Sequence, residues 1–246
     1  MSVSDDDEPL TLSSHTLAAL QEFKLEEKSR LEKFQTLFKQ SENNFDNKQK
    51  LNHQNLKLTI DDFKEDWQLS QFWYSDETAS TLGKALLEGA DENTIIVIAS
   101  APSVYAAIKQ FPKHQVPTDQ IYLLEFDPRF KILAGDEKFA IYDYNKPDEI
   151  PKNLRYKCHR LLIDPPFLEE ECQTKSAIAA KNLLIKDDSN QVIKLITSTG
   201  ERMNDIVKKI YPDTFMTNYY PEHKNGLSNE FRCYANFECS YWQFQD

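Results

Sequence analysis

The residues of this chain best suited to chemistry lie in LLIDPPFLEE, residues 161–170, where an apolar run closes on Asp164, Pro165, Pro166 and Phe167. Two successive prolines have φ fixed at about −65° and no N–H to donate. They stop a strand, stiffen the turn and leave neighbouring carbonyls able to accept. A carboxylate, exposed carbonyl acceptors and an aromatic face at one strand end together suit an amine. The competing reading is local. Prolines after an Asp also open helices, which would make Asp164 the N-cap of a helix near Glu169.

Three other apolar runs end in comparable residues. TIIVIAS leads into the small-residue turn Ala99, Ser100, Ala101, Pro102 and Ser103; IYLLEFD delivers Glu125 and Asp127; KFAIYDYN delivers Asp143 and Tyr144. A tight turn followed by acids on the next strands suits a nucleoside-type cofactor. Backbone approaches the ligand at the turn, and an acid after the second strand takes both ribose hydroxyls. The next acid accepts from an adenine amino group, beside Tyr144. Taken singly, each acid is as well explained as a helix cap; their order points to a site. Upstream, Trp67, Phe72, Trp73 and Tyr74 cluster within DWQLSQFWY. Such a cluster commonly fills a core, but the polar residues between leave Trp73 and Tyr74 as candidates for facing a ligand.

These residues need a frame that brings strand ends together. From residue 59 onward, apolar runs alternate with helical patterns: strands near 94–100, 121–127, 138–145, 160–164 and 192–199, each followed by a helical segment or turn. Ser75 or Asp76 caps a helix that runs to about Glu88 and stops at Gly89. Two further strands, FMTNYYPEH and EFRCYANFE, are joined through KNGLSN. The expected fold is a doubly wound, seven-stranded, mostly parallel α/β sheet whose last pair introduces an antiparallel member. Ligands in such sheets sit at the carboxyl ends of the strands.

Ahead of this domain, residues 1–14 form an acidic tail expected to be disordered. Residues 15–58 combine an amphipathic helix (Leu17, Leu20, Leu31, Phe34, Phe38) with an Asn-, Gln- and Lys-rich linker. The helix either packs on its own domain or recognises a partner. The formal charge of -11 disfavours a sequence-independent grip on phosphates, which depends on Lys and Arg. It suits a basic protein partner. Cys158, Cys172, Cys233 and Cys239 lack metal-ligand spacing and read as reduced thiols, with no metal expected. Neither a signal peptide nor a membrane-spanning run is present in the sequence, so a cytoplasmic monomer is expected.

The Asp-Pro-Pro-Phe turn resembles the (Asp/Asn)-Pro-Pro-(Tyr/Phe) motif of class I S-adenosylmethionine-dependent methyltransferases that act on amino nitrogens. The ordered set DWQLSQFWYSDETA, IASAPSVYAAI, LLEFDPRF, FAIYDYNKPDEIP and LLIDPPFLEEEC is similar to a more specific group. This is the eukaryotic family first labelled N6-adenine-specific DNA methyltransferases and now regarded as protein-lysine methyltransferases of translation elongation factor 1-alpha. The similarity covers residues 61–246. It implies S-adenosyl-L-methionine as cofactor, held by Ala99 to Ser103, by Glu125 or else Asp127 at the ribose, and by Asp143 and Tyr144 at the adenine. It implies that Asp164 and the Pro165 carbonyl accept from the substrate amine, with Pro166 in the same motif and Phe167 flanking. Trp73 and Tyr74 would help hold the cation. One departure stands out: the usual Gly-x-Gly loop after the first strand has no glycine here, so its φ angles are expected to differ.

The same acceptors would hold an adenine amino group. A DNA adenine enzyme must also extract its base and grip phosphates, and this acidic chain has no spare domain for that. A nucleic-acid methyltransferase and a non-catalytic binding module are therefore the alternatives to a protein-lysine methyltransferase.

Overall fold

The computed structural model describes residues 58–186, 192–227 and 230–245. The expected acidic tail, the helix and almost all of the linker lie outside them. Seven strands form one sheet: β1 (Ile96–Ala99), β2 (Ile121–Glu125), β3 (Phe139–Ile141), β4 (Arg160–Ile163), β5 (Lys194–Gly200), β6 (Phe215–Met216) and β7 (Phe231–Ala235). Their order is β3-β2-β1-β4-β5-β7-β6. Strands β1 to β5 run parallel, and β7 is antiparallel to both of its neighbours. The α-helices are α1 (Asp76–Leu87), α2 (Pro102–Gln110), α3 (Lys131–Ala134), α4 (Glu170–Leu183) and α5 (Asn204–Ile210).

The strand sequences explain why both faces of the sheet are covered. IVIA, RLLI and KLITSTG are buried along their whole length, the near-continuous pattern of a parallel sheet between helix layers. Side chains alternate between the faces. Val97, Ala99, Leu161, Ile163 and Leu195 share one core with Ala177, Ala180 and Leu183 of α4 and Val207 and Ile210 of α5. The alternate residues, Ile96, Ile98, Leu162 and Ile196, are as deeply buried on the side of α1 and α2. Those two helices pack closely at Gly83, where an added Cβ would come within 2.8 Å of Ile108.

Helix α1 begins as its sequence indicates. The Ser75 hydroxyl accepts from the Thr78 N–H at 3.1 Å, Asp76 and Glu77 occupy the positive first turn, and Gly89 leaves the helix at φ 72°. Its carboxyl end is closed from below the sheet. Arg160, the first residue of β4 and 1% exposed, donates to the carbonyls of Leu86, Glu88 and Gly89 at 2.7, 2.8 and 2.6 Å. Lys194, the first residue of β5, donates to those of Ala85 and Glu88 at 3.3 and 2.9 Å.

The tail departs from its expected form. Strand β6 has two residues, and the rest of FMTNYYPEH leaves the sheet. Pro221 has no N–H for a ladder, and the backbone at Tyr74 forms an isolated antiparallel bridge with His223 instead. The connection from β6 to β7 is thus a long excursion over the top of the sheet, not a tight hairpin. Strand β3 is also shorter than KFAIYDYN suggests, because an edge strand is fixed from one side only.

Arg160→Ala would leave the Leu86 and Gly89 carbonyls without their side-chain donor while Glu88 keeps Lys194, and each such group costs about 1–3 kcal/mol. Urea unfolding should show a loss of about 2 kcal/mol or more; a loss under about 1 kcal/mol would mean that water replaces the guanidinium.

Candidate active site

Strand register aligns four residues across the carboxyl edge. Ala99 pairs with Leu124 and with Ile163, and Ile163 pairs with Thr197. One position further on lie Glu125 of β2, Ser100 just past β1, Asp164 just past β4 and Ser198 of β5. The preceding row, Leu124, Ala99 and Ile163, points to the α4 and α5 side. Alternation therefore sends this next row to the face of α1 and α2. Two main-chain bonds carry the ladder past the strands: Ser100 N–H to the Leu124 carbonyl at 2.9 Å, and Asp164 N–H to the Ala99 carbonyl at 3.0 Å. The strand order reverses between β1 and β4, which is where such sheets hold ligands.

A cavity of about 710 Å³ opens there, within the range of about 300–1,000 Å³ usual for small-molecule clefts. Ser100, Ala101, Pro102 and Ser103 form one wall. Ser100 has φ 58°. The expectation that a glycine-free loop must change its φ angles is therefore corrected: serine itself takes the left-handed conformation that glycine adopts freely. The turn stays tight, and Pro102 opens α2 immediately after it. Ala99 lies beneath the loop, fully buried, and does not line the cavity.

The acids separate by environment. Glu125 lines the cavity, is 5% exposed, and accepts from the N–H groups of Phe126 and Asp127 at 3.0 and 3.3 Å. Burial pushes its carboxyl up to about 7 against those hydrogen bonds. Asp127 is not on the cavity wall. It caps the short 3₁₀ turn Pro128–Phe130 by accepting from Arg129 N–H at 2.9 Å, is paired with the Arg129 guanidinium, and accepts from Gln71 at 3.1 Å. Burial would raise its carboxyl, but the Arg129 contacts prevail and hold it below the usual range. Asp127, offered as the alternative to Glu125 for the ribose, is committed to a helix cap and does not line the cavity, whereas Glu125 does. Asp143 lines the cavity and accepts from Asn145 N–H at 2.9 Å. Tyr144 lines it too, its ring edge-on to Phe167 at 5.7 Å.

Asp164, Pro165, Pro166 and Phe167 form the facing wall. The helix-cap reading of Asp164 fails, since α4 starts at Glu170 with Glu169 as its N-cap residue. Burial raises the Asp164 carboxyl to about 7, partly countered by Tyr74 and assisted by the charge of Glu125. Among the described residues the Pro165 carbonyl receives no main-chain hydrogen bond, so it keeps its lone pairs. Trp73 lines the cavity while its indole N–H donates to the Phe63 carbonyl at 2.9 Å. Tyr74 does not line it. Its ring is buried and its hydroxyl faces Asp164 and Ser198 from behind, so it is out of reach of a substrate cation.

Several cavity residues carried no legible sign in the sequence. Phe126 is half exposed directly after Glu125, where it can face a purine ring; its place between two acids was the only hint. His223, Leu227, Phe231 and Arg202 come from the carboxyl-terminal part of the chain. Burial takes the His223 imidazole down to about 4, leaving it neutral at physiological pH. Gln173, wholly buried on α4, donates to the Phe167 carbonyl at 3.1 Å and to Thr199 Oγ1 at 3.0 Å; it anchors the far end of the Pro-Pro-Phe turn. Among the described residues no group of three His, Cys, Asp or Glu side chains is placed to hold a metal ion.

A nucleoside bearing a sulfonium side chain fits this wall. The left-handed Ser100 gives close backbone approach, Glu125 offers a carboxylate to vicinal hydroxyls, and Phe126 offers an aromatic face. Residues 65–239 match the sequence model of a family described as "Probable N6-adenine methyltransferase". The chain is 56% identical to "Protein-lysine N-methyltransferase EFM5" of Saccharomyces cerevisiae over 95% of its length and 94% of that protein. It is 36% identical to "EEF1A lysine methyltransferase 1" of Mus musculus over 97% of both chains, and 34% identical to the Homo sapiens protein of the same name, again over 97% of both. Among solved structures, a branched-chain polyamine synthase mutein from Thermus thermophilus, in complex with N4-aminopropylspermidine and 5'-methylthioadenosine, has a TM-score of 0.52. It shares 12% identity, over 72% of this chain and 60% of that one, a likeness of fold.

The two raised carboxyls make stability depend on pH. Folded, Glu125 and Asp164 hold protons up to about 7; unfolded, they release them near 4.5 and 3.8. The folded state binds more protons across that window, so stability falls as pH rises through it. Denaturant unfolding of the cofactor-free chain at pH 5 and pH 8 should show this loss, and the double variant Glu125→Gln, Asp164→Asn should show a smaller one. Equal losses in the two proteins would mean that the carboxyls ionise without penalty.

Proposed function

The chain belongs to the family that includes these protein-lysine N-methyltransferases, and on that premise we propose that it methylates a lysine of translation elongation factor 1-alpha. It is an S-adenosylmethionine-dependent enzyme. When bound, the cofactor supplies an electrophilic methyl group on a sulfonium. Ser100 to Ser103, Glu125, Phe126, Asp143 and Tyr144 would hold it. The observation that carries the reading is the 3.0 Å bond from Asp164 N–H to the Ala99 carbonyl. It ties the amine-accepting turn to the cofactor loop on adjacent strands.

The protein's task is mainly alignment, and orientation alone is worth roughly 7–11 kcal/mol. A lysine ammonium has no lone pair, and its ordinary pKa of about 10.4 leaves little free amine at neutral pH. Burial between Trp73, Phe167 and the prolines disfavours the cation. The aromatic faces partly retain it through cation–π contact, roughly 0.5–2 kcal/mol. Asp164 and the Pro165 carbonyl accept from the amine N–H groups and so aim its lone pair. With its carboxyl raised to about 7, Asp164 also exchanges a proton readily near neutrality, directly or through water.

A basic protein surface presenting a lysine suits a chain of charge -11 better than a polyanion does. We place the enzyme in the cytoplasm as a monomer. Among the described residues no helix is long and apolar enough to cross a membrane.

The test is methyl transfer by the full chain to purified unmodified elongation factor 1-alpha and, in parallel, to duplex DNA, each read by mass spectrometry. Methyl-lysine on the factor is expected. Asp164→Ala should cut turnover by about 10²-fold or more while cofactor affinity stays within about threefold. Glu125→Gln should instead weaken cofactor binding. Methyl-adenine on DNA with none on the factor would overturn the lysine assignment.

A further inference from the structure

Tyr74 stands out among the groups around the site that the mechanism does not use. Its hydroxyl is fully buried with no completed hydrogen bond, and so is the hydroxyl of Ser198. The two are drawn to the same place by independent constraints. Ser198 is level with Asp164 across the β4–β5 ladder and shares its face of the sheet, since Ile163 pairs with Thr197 one row earlier. Tyr74 comes from the opposite direction, two residues before α1 starts at Asp76.

The phenol is held there firmly. Its backbone bridges His223, Ser75 N–H donates to the Glu222 carbonyl at 2.8 Å, and Lys224 N–H donates to the Trp73 carbonyl at 2.8 Å. Its ring packs on His223 at 4.8 Å, whose own ring meets Phe231 at 4.6 Å. The excursion between β6 and β7 therefore clamps one side chain against the back of Asp164. A buried hydroxyl without a partner costs free energy, which its position next to a carboxylate accounts for.

Resting on the reading of Asp164 as the amine acceptor, we propose that Tyr74, backed by Ser198, is a positioning residue. Its hydroxyl donates to one Asp164 oxygen and leaves the other facing the cavity. A phenol so buried stays protonated, its ionisation pushed well above the usual range, so it serves as a donor throughout the working pH range. Donation to the ionised form favours that form and keeps Asp164 a competent acceptor nearer to neutrality than burial alone would allow. The other group that acts on Asp164 is Glu125 from β2, whose charge opposes its ionisation; the Asp164 charge in turn adds to the burial that raises the Cys172 thiol of α4. Asp143, Glu169 and Arg202 share its cavity. None of these shares Tyr74's placement as a neutral buried donor.

Tyr74→Phe removes the donor and keeps the ring. The ratio of variant to parent kcat/KM cancels the ionisation of the substrate lysine, which both proteins share. That ratio should fall about tenfold at pH 6.5, the equivalent of one pKa unit, and recover to within about threefold at pH 9. Cofactor affinity and thermal midpoint should change little, and Ser198→Ala should move the profile in the same direction by less. A readout independent of transfer is the 13Cγ resonance of Asp164, assigned by its disappearance in Asp164→Asn; its titration should move to higher pH in Tyr74→Phe. If the parent fails to methylate the factor but this titration moves, the substrate assignment fails and the positioning role stands. An Asp164 titration unchanged in Tyr74→Phe and in Ser198→Ala overturns the proposal, as does a pH-independent loss of activity accompanied by a lowered thermal midpoint.

Discussion

The pairing of β1 with β4 is the constraint on which the site depends. These strands are adjacent in space although β2 and β3 lie between them in sequence. Their parallel register sets Ser100 beside Asp164, and one more strand on either side adds Glu125 and Ser198. Adjacent strands are roughly 4.8 Å apart. The Ser100 turn and the Asp-Pro-Pro-Phe turn are therefore brought to one cavity by backbone hydrogen bonds, before any side chain contributes. Shifting β4 by one residue would turn Asp164 to the α4 and α5 side and remove the site.

Charge is buried at both ends of these strands, with opposite consequences. At the amino ends, Arg160 and Lys194 point into the carbonyl end of α1, which carries partial negative charge, and five short or moderate hydrogen bonds engage them, with only the Arg160 Nε left without a partner among the described residues. At the carboxyl ends, Glu125 is buried and Asp164 partly buried without a cation, and both carboxyls rise to about 7. In the first arrangement both cations find carbonyl partners within the chain. The second is an unmet electrostatic demand of the kind associated with functional sites. A cationic sulfonium and a lysine amine would be the complement it lacks. Asp127 provides the internal contrast, since a neighbouring arginine satisfies it and it takes no part in the cavity.

The carboxyl-terminal segment serves the same end. A tight β6–β7 hairpin would have been a simpler connection, but it would have left the upper edge of β4 and β5 open. The long excursion instead brings His223, Leu227 and Phe231 to the cavity and secures Tyr74 behind Asp164. Gln173 steadies the Pro-Pro-Phe turn from the other side of the sheet. Asp164 and its turn are thus supported from both faces, as the proposed holding of an amine in a fixed direction requires.

The sequence by itself determined the elements and the chemistry of their ends. Apolar runs such as TIIVIAS and RLLID announce buried strands, the Ser75 cap and Gly89 stop bound a helix, and Asp-Pro-Pro-Phe marks a stiff strand end with free carbonyl acceptors. These are local properties, written in neighbouring residues. What only the tertiary structure decided is non-local. It separated Glu125 from Asp127, because Arg129 folds back on one and not the other. It moved Tyr74 from the cavity wall to the back of Asp164, because burial of a ring depends on the segment that covers it. It gave Ser100 the left-handed turn expected of glycine, because the loop's two ends are fixed by strand pairing and serine must follow. His223, Phe231 and Gln173 reach the site from elements far away in sequence, and no spacing within one chain segment records such a meeting.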